Sequence, residues 1–454
     1  MTATAPLPES SLGVPAGFRF GAATAAYQIE GAAREDGRGE SIWDRFSRLP
    51  GAVVNGDTGD VACDHYHRWA ADLDLMVSLG LESYRFSIAW PRVQPEGRGP
   101  LNRRGVAWYR RLVEGCLERG IEPVATLYHR DLPQARQEAG GWAVRDTALR
   151  FAEYADLMAA ELGDVVEGWI THNEPWVVAI LGHAVGRKAP GVRDWPTALG
   201  VAHHLLVSHG LAVDALRARV KTPVGITLNL NPMRPLRPGD EEAAERMDAH
   251  QNRWFLDPVL RGTYPVELLE HYTSVFGPLP LINPEDLDVI SRPLDFLGVN
   301  YYNPTFVRAS DEAPLQAETA VPRGRTTAMG WPVDAEGLYE LLLRLRADYG
   351  ELPIWITENG AAFDDETLVD GVVEDPSRVA YLSEHLSALR RAIAAGVDVR
   401  RYHAWSLLDN FEWEHGYDKR FGIVRVDYET QERIVKRSAL WYRDHIASVR
   451  GRRT

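Results

Sequence analysis

The sequence predicts an α/β protein folded as a single (β/α)8 barrel of the TIM type, with extended βα loops. Three observations carry this. Short apolar, β-branched runs alternate with longer segments of helical period, the pattern of a parallel α/β sheet. Eight such runs occur, the number that closes this kind of barrel. Several of them end in polar or aromatic clusters, which a core strand has no packing reason to do.

The eight expected strands are 18–21, 83–88, 122–128, 167–171, 224–228, 295–299, 354–357 and 402–406. Each is a short apolar run closed by turn or polar residues. The third leads into Tyr128-His129, the fourth into Asn173-Glu174, the sixth into Asn300-Tyr301-Tyr302 and the seventh into Glu358-Asn359. Between them, helical periodicity predicts helices at 65–79, 107–119, 148–162, 197–218, 337–349 and 378–395. The polar, Pro/Arg/Thr-rich stretch 303–329 reads as a βα-loop insertion over the barrel mouth, where substrate selection usually sits. No fixed-period repeat is present, which excludes a solenoid. The expected organisation is a disordered tail over 1–14, the barrel over 15–447 and a basic tail over 448–454.

The chain has 454 residues, 45% of them hydrophobic and 25% charged, an ordinary globular composition. Length alone suggests about three domains, but α/β barrels run to more than ~400 residues as one unit. A net charge of −14 argues against nucleic-acid or anionic-membrane partners, which need basic patches. Cys63 and Cys116 are too few for a disulfide framework or a four-ligand zinc site. The first thirteen residues lack the basic and apolar regions of a signal peptide. No run approaches the roughly 18 apolar residues of a membrane span. A cytoplasmic location is expected.

Two carboxylates stand out. Glu174 closes Trp169-Ile170-Thr171-His172-Asn173-Glu174, and Glu358 closes Ile354-Trp355-Ile356-Thr357-Glu358. Both fall at C-terminal strand ends, the functional face of such a barrel. Two carboxylates facing each other there are the minimum equipment for cleaving a glycosidic bond. Other motifs carry less. His129-Arg130-Asp131-Leu132 looks like a kinase catalytic loop, but Arg136 stands where that loop needs Asn. The pairs His65/His67 and His203/His204, with His209, lack the carboxylates or thiolates that would complete a metal site.

The chain resembles glycoside hydrolase family 1, the retaining β-glucosidases and their relatives, from about Phe18 to Tyr442. The resemblance rests on Phe20-Gly21-Ala22-Ala23-Thr24-Ala25-Ala26-Tyr27-Gln28-Ile29-Glu30-Gly31, Tyr84-Arg85-Phe86-Ser87 and Asn173-Glu174-Pro175. It continues through Gly298-Val299-Asn300-Tyr301-Tyr302, Thr357-Glu358-Asn359-Gly360 and Trp405-Ser406-Leu407-Leu408-Asp409-Asn410-Phe411-Glu412-Trp413. It implies Glu174 as acid/base and Glu358 as nucleophile, with Arg85 and Tyr302 holding Glu358 ionised. It implies that Gln28, His129, Asn173, Asn300, Glu412 and Trp413 grip the terminal sugar, over a flat floor at Trp405. Trp331 would serve the aglycone side. No cofactor or metal is implied. The expected substrates are β-glucosides such as cellobiose and aryl glucosides, with some β-galactoside or β-fucoside activity.

The chain departs from the family pattern at several places. Arg130 replaces a usual Trp, His172 an apolar residue and Arg401 a Gly. His183 and Lys188 stand where Gly-Tyr and Gly-x-His-Ala-Pro-Gly are common. All are expected to add charge or polarity near or inside the mouth. These basic residues raise a 6-phospho-β-glycosidase as an alternative, but Glu412 would repel phosphate and Phe421 stands where such relatives carry Tyr; Lys419 is common to both. A sugar-binding barrel without turnover is the other alternative. A cation ~6 Å from a developing oxocarbenium costs about 3 kcal/mol, or a hundredfold, at an effective dielectric near 20. The expectation is therefore a weakened enzyme whose acidic and alkaline pH limbs both lie low. Arg130→Trp is expected to raise kcat/KM on an aryl β-glucoside. A variant no faster than the native chain rules the repulsion out.

Overall fold

In the computed structural model, residues 13–279, 282–365 and 367–451 are described. All eight expected runs form strands: β1 (Arg19–Ala23), β2 (Ser83–Ser87), β3 (Glu122–Tyr128), β4 (Gly168–Asn173), β5 (Val224–Asn229), β6 (Phe296–Asn300), β7 (Ile354–Asn359) and β8 (Val399–Trp405). They close into a barrel in chain order, each parallel to its neighbours, with β1 joining β8 through Arg19↔Arg401 to Ala23↔Trp405. The strands are buried along nearly their whole length, as expected where helices cover the outside and side chains fill the inside.

β1, β4 and β7 each run two residues further than the sequence predicts, and β5 and β6 one. β4 ends at Asn173 and β7 at Asn359, two residues beyond 171 and 357. Their pairing also slips, between Ile170 and Asn173 in β4 and between Ile356 and Glu358 in β7. A slip of this kind breaks the two-residue alternation and re-aims the side chains after it. Strict alternation predicts that neighbours face opposite ways. Instead Thr357 and Glu358 both contact interior groups, Thr357 on Asn300 and Glu358 on Arg85.

The shell comprises α1 (His65–Ser78), α2 (Arg103–Glu118), α3 (Arg145–Leu162), α4 (Trp195–Arg217), α5 (Ala335–Tyr349), α6 (Pro376–Ala394) and α7 (Arg437–Val449), with further helices after β5. The side chains of Asp194 and Asp334 accept from Thr197 and Gly337 backbone N–H groups and so start α4 and α5. By length and composition α4 is apolar enough to cross a membrane, which the hydropathy of the sequence does not lead one to expect; 83% of its most apolar window is buried against the rest of the protein. The stretch 303–329 is not all loop. Thr305–Ala309 and Ala317–Ala320 pair antiparallel and join Met233–Pro235 in a small sheet at the mouth.

The boundary expected at 448 is wrong. α7 runs to Val449, and Arg450 pairs with Glu82 at 2.7 Å and lies over the Phe20 ring. That anchoring extends the barrel unit through Arg450. The expected tail residues 1–12 and 452–454 lie outside the described residues.

The barrel floor is filled. Trp355 stacks on Phe296 at 3.6 Å, and Arg401 lies over Trp355 while pairing with Glu122 at 2.8 Å. Behind the mouth, the segments after β7 and β8 are tied by buried ions. Lys436 sits between Asp365 and Asp409, Arg378 pairs with Asp365 and Asp375, and Arg420 pairs with Asp409. Removing one partner from such a cluster leaves buried charge uncompensated. Lys436→Met is expected to lose about 3 kcal/mol of stability in urea unfolding. An unchanged midpoint and slope would show that Arg378 and Arg420 suffice alone.

Candidate active site

Glu174 follows β4 directly, at φ +51°, a conformation uncommon outside glycine. Glu358 is the fifth residue of β7. Beside it Gly360 leaves no room for a side chain: a Cβ there would lie 1.8 Å from the Trp405 carbonyl oxygen. β7 and β8 therefore approach each other closely where the site is built.

Arg85, on β2, is fully buried and reaches both regions. It donates to Glu358 Oε1 at 2.7 Å, the Thr357 carbonyl at 3.1 Å, Asn173 Oδ1 at 2.6 Å and Thr126 Oγ1 at 3.2 Å. Tyr302 donates to the other Glu358 oxygen at 2.5 Å. Asn300 donates to Glu174 Oε1 at 2.7 Å and to Asn173 Oδ1 at 3.1 Å, and Thr357 donates to Asn300 Oδ1 at 2.8 Å. Burial pushes the Glu358 carboxyl above its ordinary value; Arg85 opposes this and Glu174 adds to it. Both Glu358 oxygens nonetheless accept, one from a guanidinium, which is the pattern of a carboxylate. The Tyr302 hydroxyl is held well above its usual range by burial and by Glu358, so it keeps the proton it donates.

Both glutamates open into a cavity of about 410 Å³ at the mouth. His129, Arg130, Tyr302, Trp331, Trp405, Glu412 and Trp413 line it with them. Trp405 and Trp413 each stack with the His129 ring, at 5.9 and 6.0 Å. Trp331 packs near Tyr302 and Phe421. Arg85, Asn173, Asn300 and Gln28 are behind the wall rather than on it. Gln28 donates to Asn410 Oδ1 and the Phe411 carbonyl, and its Oε1 is buried without a partner. Asn173 Nδ2 meets His129 Nε2 at 3.2 Å, which leaves His129 Nδ1 also buried and unpartnered. An orphaned amide oxygen and an orphaned ring nitrogen suit a ligand that both donates and accepts, as a hydroxyl does. Burial, with Arg130 and Arg85, pulls His129 well below its usual range, so its ring is neutral.

Most departures from the family pattern do not reach this cavity. His172 turns outward to Ser208 on α4 and stacks on Phe151, and burial keeps it neutral. His183 bonds the Val178 carbonyl and is pulled down to about 4 by burial. Arg401 is in the floor. The expectation that all of them charge the mouth is thus corrected, because strand direction and helix packing aim these three elsewhere. Lys188 does line the cavity, paired with Glu414, which also takes Arg187 at 3.0 Å. Arg130 differs most from expectation. It is at φ +72°, lies 4.9 Å above the Trp413 ring and pairs with Glu174 itself, not with its neighbour Asp131. Sequence reasoning missed the supporting threonines Thr126 and Thr357, and Glu414; the one available signal was the run of polar residues at each strand end.

The Glu412 carboxyl is pushed up to about 7, first by burial, which Lys188 offsets and Glu414 reinforces. Ionised, it is an acceptor for sugar hydroxyls; protonated, it is a weaker one. Binding of a nonhydrolysable thioglucoside is expected to tighten as pH rises through about 7, and Glu412→Gln is expected to flatten that step. Titration calorimetry across pH reads it, and an equal step in the variant assigns it to another group.

Comparison with known proteins agrees with this geometry. The model of glycosyl hydrolase family 1 matches residues 11–450. Beta-glucosidase A of Acetivibrio thermocellus is 49% identical over 444 residues, 96% of this chain and 99% of the relative. The bifunctional beta-D-glucosidase/beta-D-fucosidase of Bifidobacterium breve is 48% identical over 456 aligned positions, 95% of this chain and 98% of the relative. The solved beta-glucosidase from Thermotoga maritima in complex with glucoimidazole superposes with a TM-score of 0.93 at 45% identity, covering 96% of this chain and 99% of that one. The chain belongs to glycosyl hydrolase family 1.

Proposed function

We propose that this family 1 chain is a retaining β-glucosidase that removes terminal β-D-glucosyl residues with Glu358 as nucleophile and Glu174 as acid, then base. The observation that carries the roles is the asymmetry of the two carboxylates. Glu358 is locked by Arg85 and Tyr302, as a group that must attack along one line. Glu174, at the end of β4 and so three strands round the barrel, is held by Asn300 from the interior and by Arg130 from the cavity side, and faces the same cavity. In the first step a Glu358 oxygen bonds to C1 as the C1–O bond to the aglycone breaks, and the departing oxygen takes the proton of Glu174 and leaves as an alcohol. In the second, Glu174 takes a proton from water, the water oxygen bonds to C1, and Glu358 leaves.

The filled floor makes the cavity blind, which supports exo action on one terminal sugar. Aryl glucosides first, and cellobiose more slowly, are the substrates we favour, and the dual name of the Bifidobacterium relative supports some β-fucoside activity. A 6-phospho substrate has less support: Glu412 is on the wall, and Lys419 is paired with Asp418 at 2.7 Å. A cytoplasmic setting is supported by two buried, unbridged cysteines, Cys63 and Cys116.

The test is hydrolysis of p-nitrophenyl β-D-glucoside by the purified chain, with Glu358→Gln as control. Turnover is expected in the native chain and is expected to fall by ~10³ or more in the control. The first glucose seen by NMR is expected to be the β anomer. An α anomer would overturn the double displacement, and glucose binding without turnover would favour a binding barrel.

A further inference from the structure

We infer that Arg130 restricts this enzyme to β-glucosides whose aglycone is a good leaving group, aryl glucosides above all, because its guanidinium occupies the oxygen of Glu174 that would protonate the departing aglycone. The inference rests on the function proposed above and goes beyond it by naming the substrate class.

Each Glu174 oxygen already has an N–H donor. Asn300 Nδ2 serves Oε1 at 2.7 Å, and Arg130 serves Oε2. Asn300 comes from inside the barrel and is itself fixed by Thr357, so Oε1 is committed to the interior. Oε2 is the oxygen left to carry a proton, and the guanidinium faces it. Arg130 is well held there. It lies over the Trp413 ring, and its side chain is 10% exposed. The alternatives for its charge are not taken up. Asp131 has both oxygens unpartnered, and Glu414 is engaged by Lys188 and Arg187. Arginine keeps its proton, so this pairing cannot be relieved by proton transfer from Arg130 to Glu174.

The two chemical steps feel this differently. In the first, the C1–O bond breaks and the aglycone oxygen takes the electron pair. With a proton from Glu174 it leaves as an alcohol. Without one it leaves as an anion and takes its proton from solvent water. A phenolate, above all a nitrophenolate, tolerates that route; the alkoxide of a sugar hydroxyl, as in cellobiose, does not. In the second step Glu174 must accept a proton from water, which asks for no proton on Oε2 beforehand. Lost acid assistance thus falls on the first step and grows as the leaving group becomes more basic.

The experiment measures kcat/KM for the full chain on 2,4-dinitrophenyl, p-nitrophenyl and phenyl β-D-glucosides and on cellobiose. It is repeated with Arg130→Trp, and with Arg130→Lys, which keeps a cation. Expected is a native fall across the series about 10²-fold steeper than that of Arg130→Trp, the lower range of what a general acid contributes. Arg130→Lys is expected to fall nearly as steeply as the native chain, and Arg130→Trp to gain least on the dinitrophenyl substrate. A general packing defect would move all substrates together and leave the slope alone. Equal slopes in native and Arg130→Trp, or native cleavage of cellobiose as efficient as that of the nitrophenyl glucosides, would overturn the inference while leaving the β-glucosidase reading intact. Absence of any native turnover on the dinitrophenyl glucoside would overturn both.

Discussion

A buried guanidinium must be paired on every side, and the catalytic end of this barrel is organised around meeting that requirement for Arg85. Its fork reaches β3 through Thr126, β4 through Asn173 and β7 through Glu358 and the Thr357 carbonyl. Asn173 passes the constraint to Asn300, and Asn300 to Glu174. One charged side chain therefore sets the positions of both carboxylates. A lysine would not do this, since a point charge lacks the planar fork that bonds several acceptors in fixed directions. Breaking such a buried pair costs on the order of 3–5 kcal/mol, so the constraint is stiff as well as directional.

The strands and the placing of the two glutamates at strand ends were legible because they depend on local chemistry. An apolar run closed by a turn residue reads the same wherever it packs. What the sequence hid was direction. The slips in β4 and β7 let Thr171 and His172 both face α4, and Thr357 and Glu358 both face inward, and no periodicity announces them. Thr171-His172-Asn173 and Thr357-Glu358-Asn359 hint at it, since consecutive polar residues in a strand buried on both faces sit badly with simple alternation. The end of the barrel unit was misplaced for a related reason. Arg450 looks like part of a solvated basic tail until its partner, Glu82, far away in sequence, is brought beside it.

Charge in the mouth illustrates the same limit. Counted along the chain, the unusual basic residues suggest a positive pocket. In space, Lys188 and Arg187 are absorbed by Glu414, Arg401 by Glu122, and His172 and His183 are neutral. Among them Arg130 alone meets a carboxylate to which the proposed function gives a chemical role, and it meets it by pairing rather than by repelling charge at the sugar. Coulomb's law at a distance makes this cation a diffuse field; the fold makes it the neighbour of one oxygen atom.

The stacked Trp355 and Phe296, capped by Arg401, give the barrel a single door. Traffic through it must be sequential: the aglycone departs before anything else can reach the glycosyl-enzyme from that side. The vacated space is then open to whatever arrives first. Water competes there on equal terms with any alcohol that the same aromatic walls can hold. In the mechanism proposed above, Trp331 and its neighbours on the cavity wall would thus weigh on the fate of the intermediate as well as on the choice of substrate, setting how often the sugar is handed to a new acceptor instead of being released.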